Sequence, residues 1–221
     1  MSSGGKFVDV DTTNRPGILR AKEMSLVSSN VQIETLVTPF KYDANKLFDP
    51  FEQHGRLFSF FRHPIDRAVS LFSCLKYAEW EPSYNPAYKD ITIEEFAEME
   101  LGGENKWMTR EFSNQREGEL TDEHLEIAID VCPQIVLVGL LSKRYESMKR
   151  FEKYFGWKYK FMPTNKETCR ADWLVKGGNK NENKLAVHQP GSPAYKSLSK
   201  QYHFDILLFD SIDETLFWEQ K

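Results

Sequence analysis

Gly55-Arg-Leu-Phe-Ser-Phe-Phe-Arg62-His63-Pro64-Ile-Asp66-Arg67-Ala-Val-Ser70-Leu-Phe-Ser73 joins an apolar run to an amphipathic one through an arginine and a proline. Leu57–Phe61 is short and nearly continuously apolar, which predicts a strand buried on at least one face. Pro64 suits the first position of a helix, where the N–H it lacks would be unpaired anyway. Val69, Leu71, Phe72 and Leu75 recur at helical spacing and predict a helix running to about Ala78. An arginine at the carboxyl end of a buried strand, just ahead of a helix N-terminus, stands where α/β sheets bind ligands. Arg62 can present two parallel donors to an oxyanion and Ser70 can add a hydroxyl, so the junction is a candidate phosphate site. The same residues also admit a local Arg62–Asp66 ion pair with no ligand, and Ser70 as a plain helix hydroxyl.

Outward from this junction the chain alternates strand and helix patterns. Residues 1–30 read as mostly irregular around a Lys6–Val10 strand candidate, and Val31–Val37 reads as a strand before Thr38-Pro39. Trp80–Asp90 is an aromatic loop. Thr92-Ile-Glu-Glu95 matches a capping box, predicting a short helix that stops before Gly102-Gly103. Thr121-Asp-Glu opens a helix carrying Leu125, Ala128 and Ile129 inward, with Pro133 expected to end it before an Ile135–Gly139 strand. Ser142 is expected to cap a helix whose Tyr145, Met148, Phe151 and Phe155 form one stripe and whose stop is Gly156. Beyond a polar Lys176–Lys184 loop, Pro193–Tyr202 and Asp205–Gln220 predict two closing helices, the last with Ile206, Phe209, Ile212 and Leu216 on one face. The alternation implies an α/β fold, three-layered, with a mostly parallel sheet flanked by helices.

Length and composition fit one domain. The 221 residues carry no Pro/Gly/Ser-rich interior linker, so 1–221 reads as a single unit. A net charge of −4 argues against bulk nucleic-acid binding while leaving room for one basic pocket. Cys74, Cys132 and Cys169 are widely spaced, which suggests neither a zinc site nor a redox pair, and no metal site is expected. No run approaches the roughly 20 apolar residues of a membrane span, so the chain reads as soluble as given, without a membrane anchor of its own.

The order Arg62-x-Pro64-x-x-Arg67-x-x-Ser70 after an aromatic strand resembles the 3′-phosphate element of sulfotransferases that use 3′-phosphoadenosine 5′-phosphosulfate (PAPS), and most closely the Golgi carbohydrate type. His63 stands where that family usually has aspartate. Asn105-Lys-Trp107-Met-Thr-Arg110 looks like its Asn-x-x-x-Thr-Arg segment, and the Asp205–Gln220 helix like its closing Asp-x-x-Leu-Phe segment. The resemblance covers roughly residues 31–220 and is specific only over 55–73. It implies a P-loop-like architecture, PAPS as co-substrate held by Arg62 and Ser70, and sulfuryl transfer to a hydroxyl, expected on a glycan. It also implies a Golgi address with an N-terminal membrane helix, which this chain does not show. Trp107 and Arg110 are further candidates for lining the donor or acceptor site, as a purine or sulfated sugar calls for an aromatic face and a cation.

Two parts of such a site have no clear counterpart. The 5′-phosphosulfate loop, a strand followed by a small-residue turn with lysine, is not found; Ser2-Ser-Gly-Gly-Lys6 has the residue types without the flanking elements. The expectation is therefore an architecture short of its first strand and helix. No residue is assigned as the base that would take the acceptor's proton; residues 31–43 offer only Glu34 and Asp43, and His54, His124, His188 and His203 lack a partner pattern. Two alternatives follow: a degenerate nucleotide-binding or scaffolding domain, and a P-loop kinase relative using ATP and magnesium, which lacks its Gly-x-x-x-x-Gly-Lys-Ser/Thr signature.

Overall fold

A computed structural model describes residues 10–28, 36–48, 55–81, 84–99, 106–157 and 190–219. Strand β1 (Leu57–Phe61) pairs in parallel with β2 (Val136–Leu140), in register from Leu57 opposite Val136 to Phe61 opposite Leu140. Helices α1 (Arg15–Glu23) and α2 (Lys41–Ala44) precede the sheet; α3 (Pro64–Leu75), α4 (Ile93–Glu98), α5 (Trp107–Ser113) and α6 (Asp122–Ile135) lie between the strands. After β2 come α7 (Arg144–Phe155), α8 (Pro193–Gln201), α9 (His203–Ser211), a π turn over Ile212–Leu216, and a last helical turn α10 (Phe217–Glu219). The α/β class is thus a mixed helix-and-sheet structure whose described sheet is this one parallel pair.

Strand alternation sends neighbouring side chains to opposite faces, and β1 uses both. Phe58 and Phe60 meet Phe151 of α7 at 5.0 and 5.2 Å between ring centroids, whereas Phe61 stacks on Phe112 of α5 at 5.9 Å. Val136, Val138 and Leu140 join Phe61, Phe112, Ala128, Cys132, Leu208, Phe209, Ile212 and Phe217 in one core cluster. A second cluster packs Ile65, Ala68, Val69, Phe72 and Leu75 of α3 against Phe96 of α4 and Leu198 of α8. The Phe72–Phe96 pair, at 4.6 Å, is a contact of the kind that adds about 0.5–1.5 kcal/mol beyond burial.

Several boundaries follow the sequence closely. The Thr92 capping box closes in both directions, Glu95 N–H to Thr92 Oγ1 and Thr92 N–H to the Glu95 carboxylate. Gly156 ends α7 at φ 64°, a left-handed position that glycine adopts without strain. Pro133, by contrast, does not end α6, which runs on to Ile135. Its missing N–H falls in the last turn, and the Val136 N–H still closes the helix onto the Cys132 carbonyl. Ser142 does not cap α7 either; the cap position is Lys143, without a side-chain bond. The buried Ser147 instead ties strand to helix, accepting from Leu140 N at 2.9 Å and donating to the Lys143 carbonyl at 2.7 Å. Tyr145 departs from the α7 stripe and is 50% exposed, since Ser147 and Phe151 define the buried side.

Leu36 and Val37, the described end of the Val31–Val37 strand candidate, are not in a strand. The Trp80–Asp90 loop contains a 3₁₀ turn over Pro86–Lys89, capped by Asn85. Most of Lys6–Val10, residues 31–35, Ser2–Lys6 and Lys176–Lys184 lie outside the described residues. Among the described residues no helix is long and apolar enough to cross a membrane, and no group of three or more His, Cys, Asp or Glu could hold a metal ion.

Candidate anion site at the β1–α3 junction

Because β1 and β2 are parallel and in register, their carboxyl ends open at the same edge. Leu141 N–H extends the ladder to the Phe61 carbonyl at 2.8 Å, so Arg62 leaves the sheet beside Leu141–Lys143. Lys143 is already paired with Asp213 of the π turn and lies over the Phe217 and Trp218 rings. Arg62 differs: it is half-buried and has no hydrogen-bond or ion-pair partner among the described residues. The local Arg62–Asp66 pair that the sequence allowed does not form.

Helix α3 presents two distinct faces. Ile65, Ala68, Val69, Phe72 and Leu75 are buried in the core, which turns His63, Asp66, Arg67 and Ser70 to the other side at intervals of three and four. These four are half-buried rather than solvent-exposed, so neighbouring elements partly cover this polar face. His63 occupies the N-cap position without capping, its ring edge-on to Phe209 of α9 at 5.3 Å. Ser70, like Arg62, has no hydrogen-bond partner among the described residues. Pro64 at the first position and Asp66 in the first turn complete a helix start whose free N–H groups face the same edge.

Arg67 connects this face to α5. Its guanidinium lies 5.4 Å from the centroid of Trp107, and Lys41 of α2 lies 4.2 Å from the same ring. Trp107 is therefore a partner for two cations. Its position is fixed from a distance by Asp205 of α9, which accepts from Met108 N at 3.1 Å, Thr109 N at 2.8 Å and Thr109 Oγ1 at 2.8 Å. Lys106, at φ 61°, supplies no side-chain cap, so Asp205 does that work for α5 across the fold. Burial pushes the Asp205 carboxyl above its ordinary range, against the pull of the Thr109 and Met108 bonds and the nearby Arg67 charge.

Arg110 turns elsewhere, donating to the carbonyls of Gln115 at 3.2 Å and Gly118 at 2.8 Å and so closing the turn after α5. The sequence candidates thus separate: Arg62 and Ser70 have no polar partner among the described residues at the strand–helix junction, Trp107 lies beside two cations, and Arg110 holds a loop. Among the acids and histidines, Asp43 is bound to Arg116 at 2.7 Å, and His124 forms a capping box with Thr121. His203 is exposed, and Glu34, His54 and His188 lie outside the described residues. Cys132 is buried, which pushes its thiol up to about 12 and leaves it inert.

Two participants carry no local sequence signal, Asp205 and Lys41. Asp205 begins an Asp-x-x-Leu-Phe run, but Asp213 begins another, and only the fold shows that one caps α5 while the other pairs with Lys143. No family model matches the chain, and no curated protein or solved structure matches it either.

Proposed function

We propose that this chain binds PAPS as a sulfotransferase-type α/β domain, with Arg62 and Ser70 on the 3′-phosphate, and passes the sulfuryl group to a hydroxyl, of a carbohydrate. The observation that carries the reading is the state of Arg62: a half-buried guanidinium with no hydrogen-bond or ion-pair partner among the described residues, at the carboxyl edge of a parallel strand pair, one residue before a helix N-terminus. A partly desolvated arginine normally finds an acceptor, and an oxyanion is the acceptor its fork fits best. The half-buried polar face of α3, on which Ser70 has no hydrogen-bond partner among the described residues, supplies the second donor. Sulfuryl transfer would then run in line from donor to acceptor, with the site's cations balancing charge on the departing phosphate.

Calorimetry with 3′-phosphoadenosine 5′-phosphate, the desulfated product, tests the binding half. Wild type is expected to bind, and Arg62→Ala to bind about ten- to a hundredfold more weakly with an unchanged melting curve, the usual effect of losing one charge-assisted contact. No heat at millimolar nucleotide overturns the reading. Transfer of labelled sulfate to a panel of glycans tests the chemical half; binding without transfer leaves a nucleotide-binding domain without turnover.

A further inference from the structure

Lys41 is 8% exposed, yet its ammonium has no hydrogen bond or ion pair among the described residues. Buried charges are normally paired, since an uncompensated one is among the costliest features a fold can carry. What surrounds it does not discharge it. Trp107 at 4.2 Å and Phe112 at 6.0 Å offer ring faces, worth far less than hydration. Glu111 of α5 favours the ammonium electrostatically but lies beyond ion-pair distance, and its Oε1 accepts from Tyr42 N at 3.1 Å. Cys132 of α6 is protonated, and Asp43 on the same helix is held by Arg116. The remaining charged neighbour is Arg67 of α3, another cation, whose own nearby carboxylate is Asp205. Two cations therefore share one tryptophan on the side of α3 that carries Ser70.

We propose that Lys41 and Arg67, both beside the Trp107 ring, form an oxyanion-binding pair that takes a tetrahedral anion of the sulfate or phosphate class. On the function proposed above, on which only the ligand's identity rests, that anion is the sulfated 5′ end of the donor, and Arg62 with Ser70 holds the other end. The pair accounts for a buried ammonium with no acceptor among the described residues as a group awaiting its ligand. Burial lowers the Lys41 ammonium from its ordinary value to about 8, with Arg67 adding to the effect and Glu111 and Cys132 opposing it. An anion seated beside it must raise that value, and the bound anion must be lost as pH climbs past it.

The test follows the Lys41 13Cε resonance by NMR, assigned by its disappearance in Lys41→Met, through a pH titration with sodium sulfate, with sodium phosphate, or with chloride at equal ionic strength. The expected result is a midpoint near 8 in chloride that moves up by half a unit or more in sulfate or phosphate. In the folded protein the ammonium is disfavoured, so its burial cost is fully present below pH 8 and is relieved as pH rises from 8 toward 10.5. Lys41→Met without added anion should therefore melt no lower than wild type at pH 7, and up to about 6 °C higher. The rise in melting temperature that low-millimolar sulfate gives wild type should vanish in Lys41→Met and persist in Lys41→Arg. A midpoint indifferent to sulfate and phosphate, or a Lys41→Met protein stabilised by sulfate like wild type, overturns the proposal. If the midpoint moves with sulfate but 3′-phosphoadenosine 5′-phosphate does not bind, the anion pair stands and the nucleotide reading falls. If the nucleotide binds through Arg62 while the midpoint stays fixed, the reverse holds.

Discussion

Replacing Asp205 with alanine is expected to cost about 3–5 kcal/mol of folding stability, the range for removing one partner from a buried charged network. The carboxylate is 2% exposed and serves Met108 N–H, Thr109 N–H and the Thr109 hydroxyl. Alanine leaves all of these donors in a space that water does not reach, each with a desolvation penalty of about 1–3 kcal/mol before relaxation. Because the helix it starts is only about two turns long, α5 has little internal bonding to fall back on. Equilibrium urea unfolding measures the loss; an Asp205→Ala midpoint within about 1 kcal/mol of wild type would mean that α5 is held by packing alone.

Asp205→Asn separates acceptor from charge. It retains an oxygen toward α5 and is expected to lose less than alanine does. The folded-state carboxyl titrates above its unfolded value of 3.8, so the stability it contributes is fully present when protonated, below 3.8, and is lost as pH rises through the folded value. The difference between wild type and Asp205→Asn should accordingly shift in favour of wild type as pH falls through that window. Because α5 presents Trp107 to Arg67 and Lys41, the alanine variant should also weaken sulfate binding wherever it remains folded.

What the sequence makes legible is local. Leu57–Phe61, Pro64 and the spacing of α3 place strand, turn and helix, the helix end within three residues, and the Thr92 box and Gly156 mark their helix ends by chemistry confined to a few neighbours. Pro133 misleads because its cost is confined to one bond, the one its N–H would have made to the Ile129 carbonyl, while the last turn still closes from Val136 N–H onto the Cys132 carbonyl. Ser142 misleads because Ser147, on the next turn, makes the strand-to-helix bonds from the buried side. The candidate site divides along the same line. Arg62 and Ser70 belong to one short motif, whereas Asp205 acts on a backbone 96 residues away, and Lys41 becomes unusual only once Trp107, Arg67 and Glu111 close around it. Residue order states which side chains are available; which of them lose their water is decided by the packing of distant elements.

Packing on the far face of the sheet gives the other large expected effect. Phe151 is fully buried, with its ring against Phe58 and Phe60 and its tip over Gly139 of β2. Phe151→Ala should cost about 3–5 kcal/mol, the lost transfer energy plus the cavity left behind. Gly139→Ala should cost about 1–3 kcal/mol by the opposite route, since the added Cβ would stand 2.6 Å from the Phe151 ring tip and 3.1 Å from Ser147 Cβ. The phenylalanine cannot swing aside without giving up its contacts to β1, so glycine is retained where helix and strand come closest. Combined, the two changes partly cancel: the new methyl enters space the ring has vacated. A double-mutant cycle by urea unfolding should therefore show the pair at least 1 kcal/mol more stable than the sum of the singles predicts. Strict additivity would show that the added methyl is opposed by atoms other than the Phe151 ring, Ser147 Cβ being the nearest. Since β2 and α7 flank the edge at which Arg62 emerges, Phe151→Ala should also reduce nucleotide binding less than it reduces stability, a ratio that separates the scaffold from the residues that touch the anion.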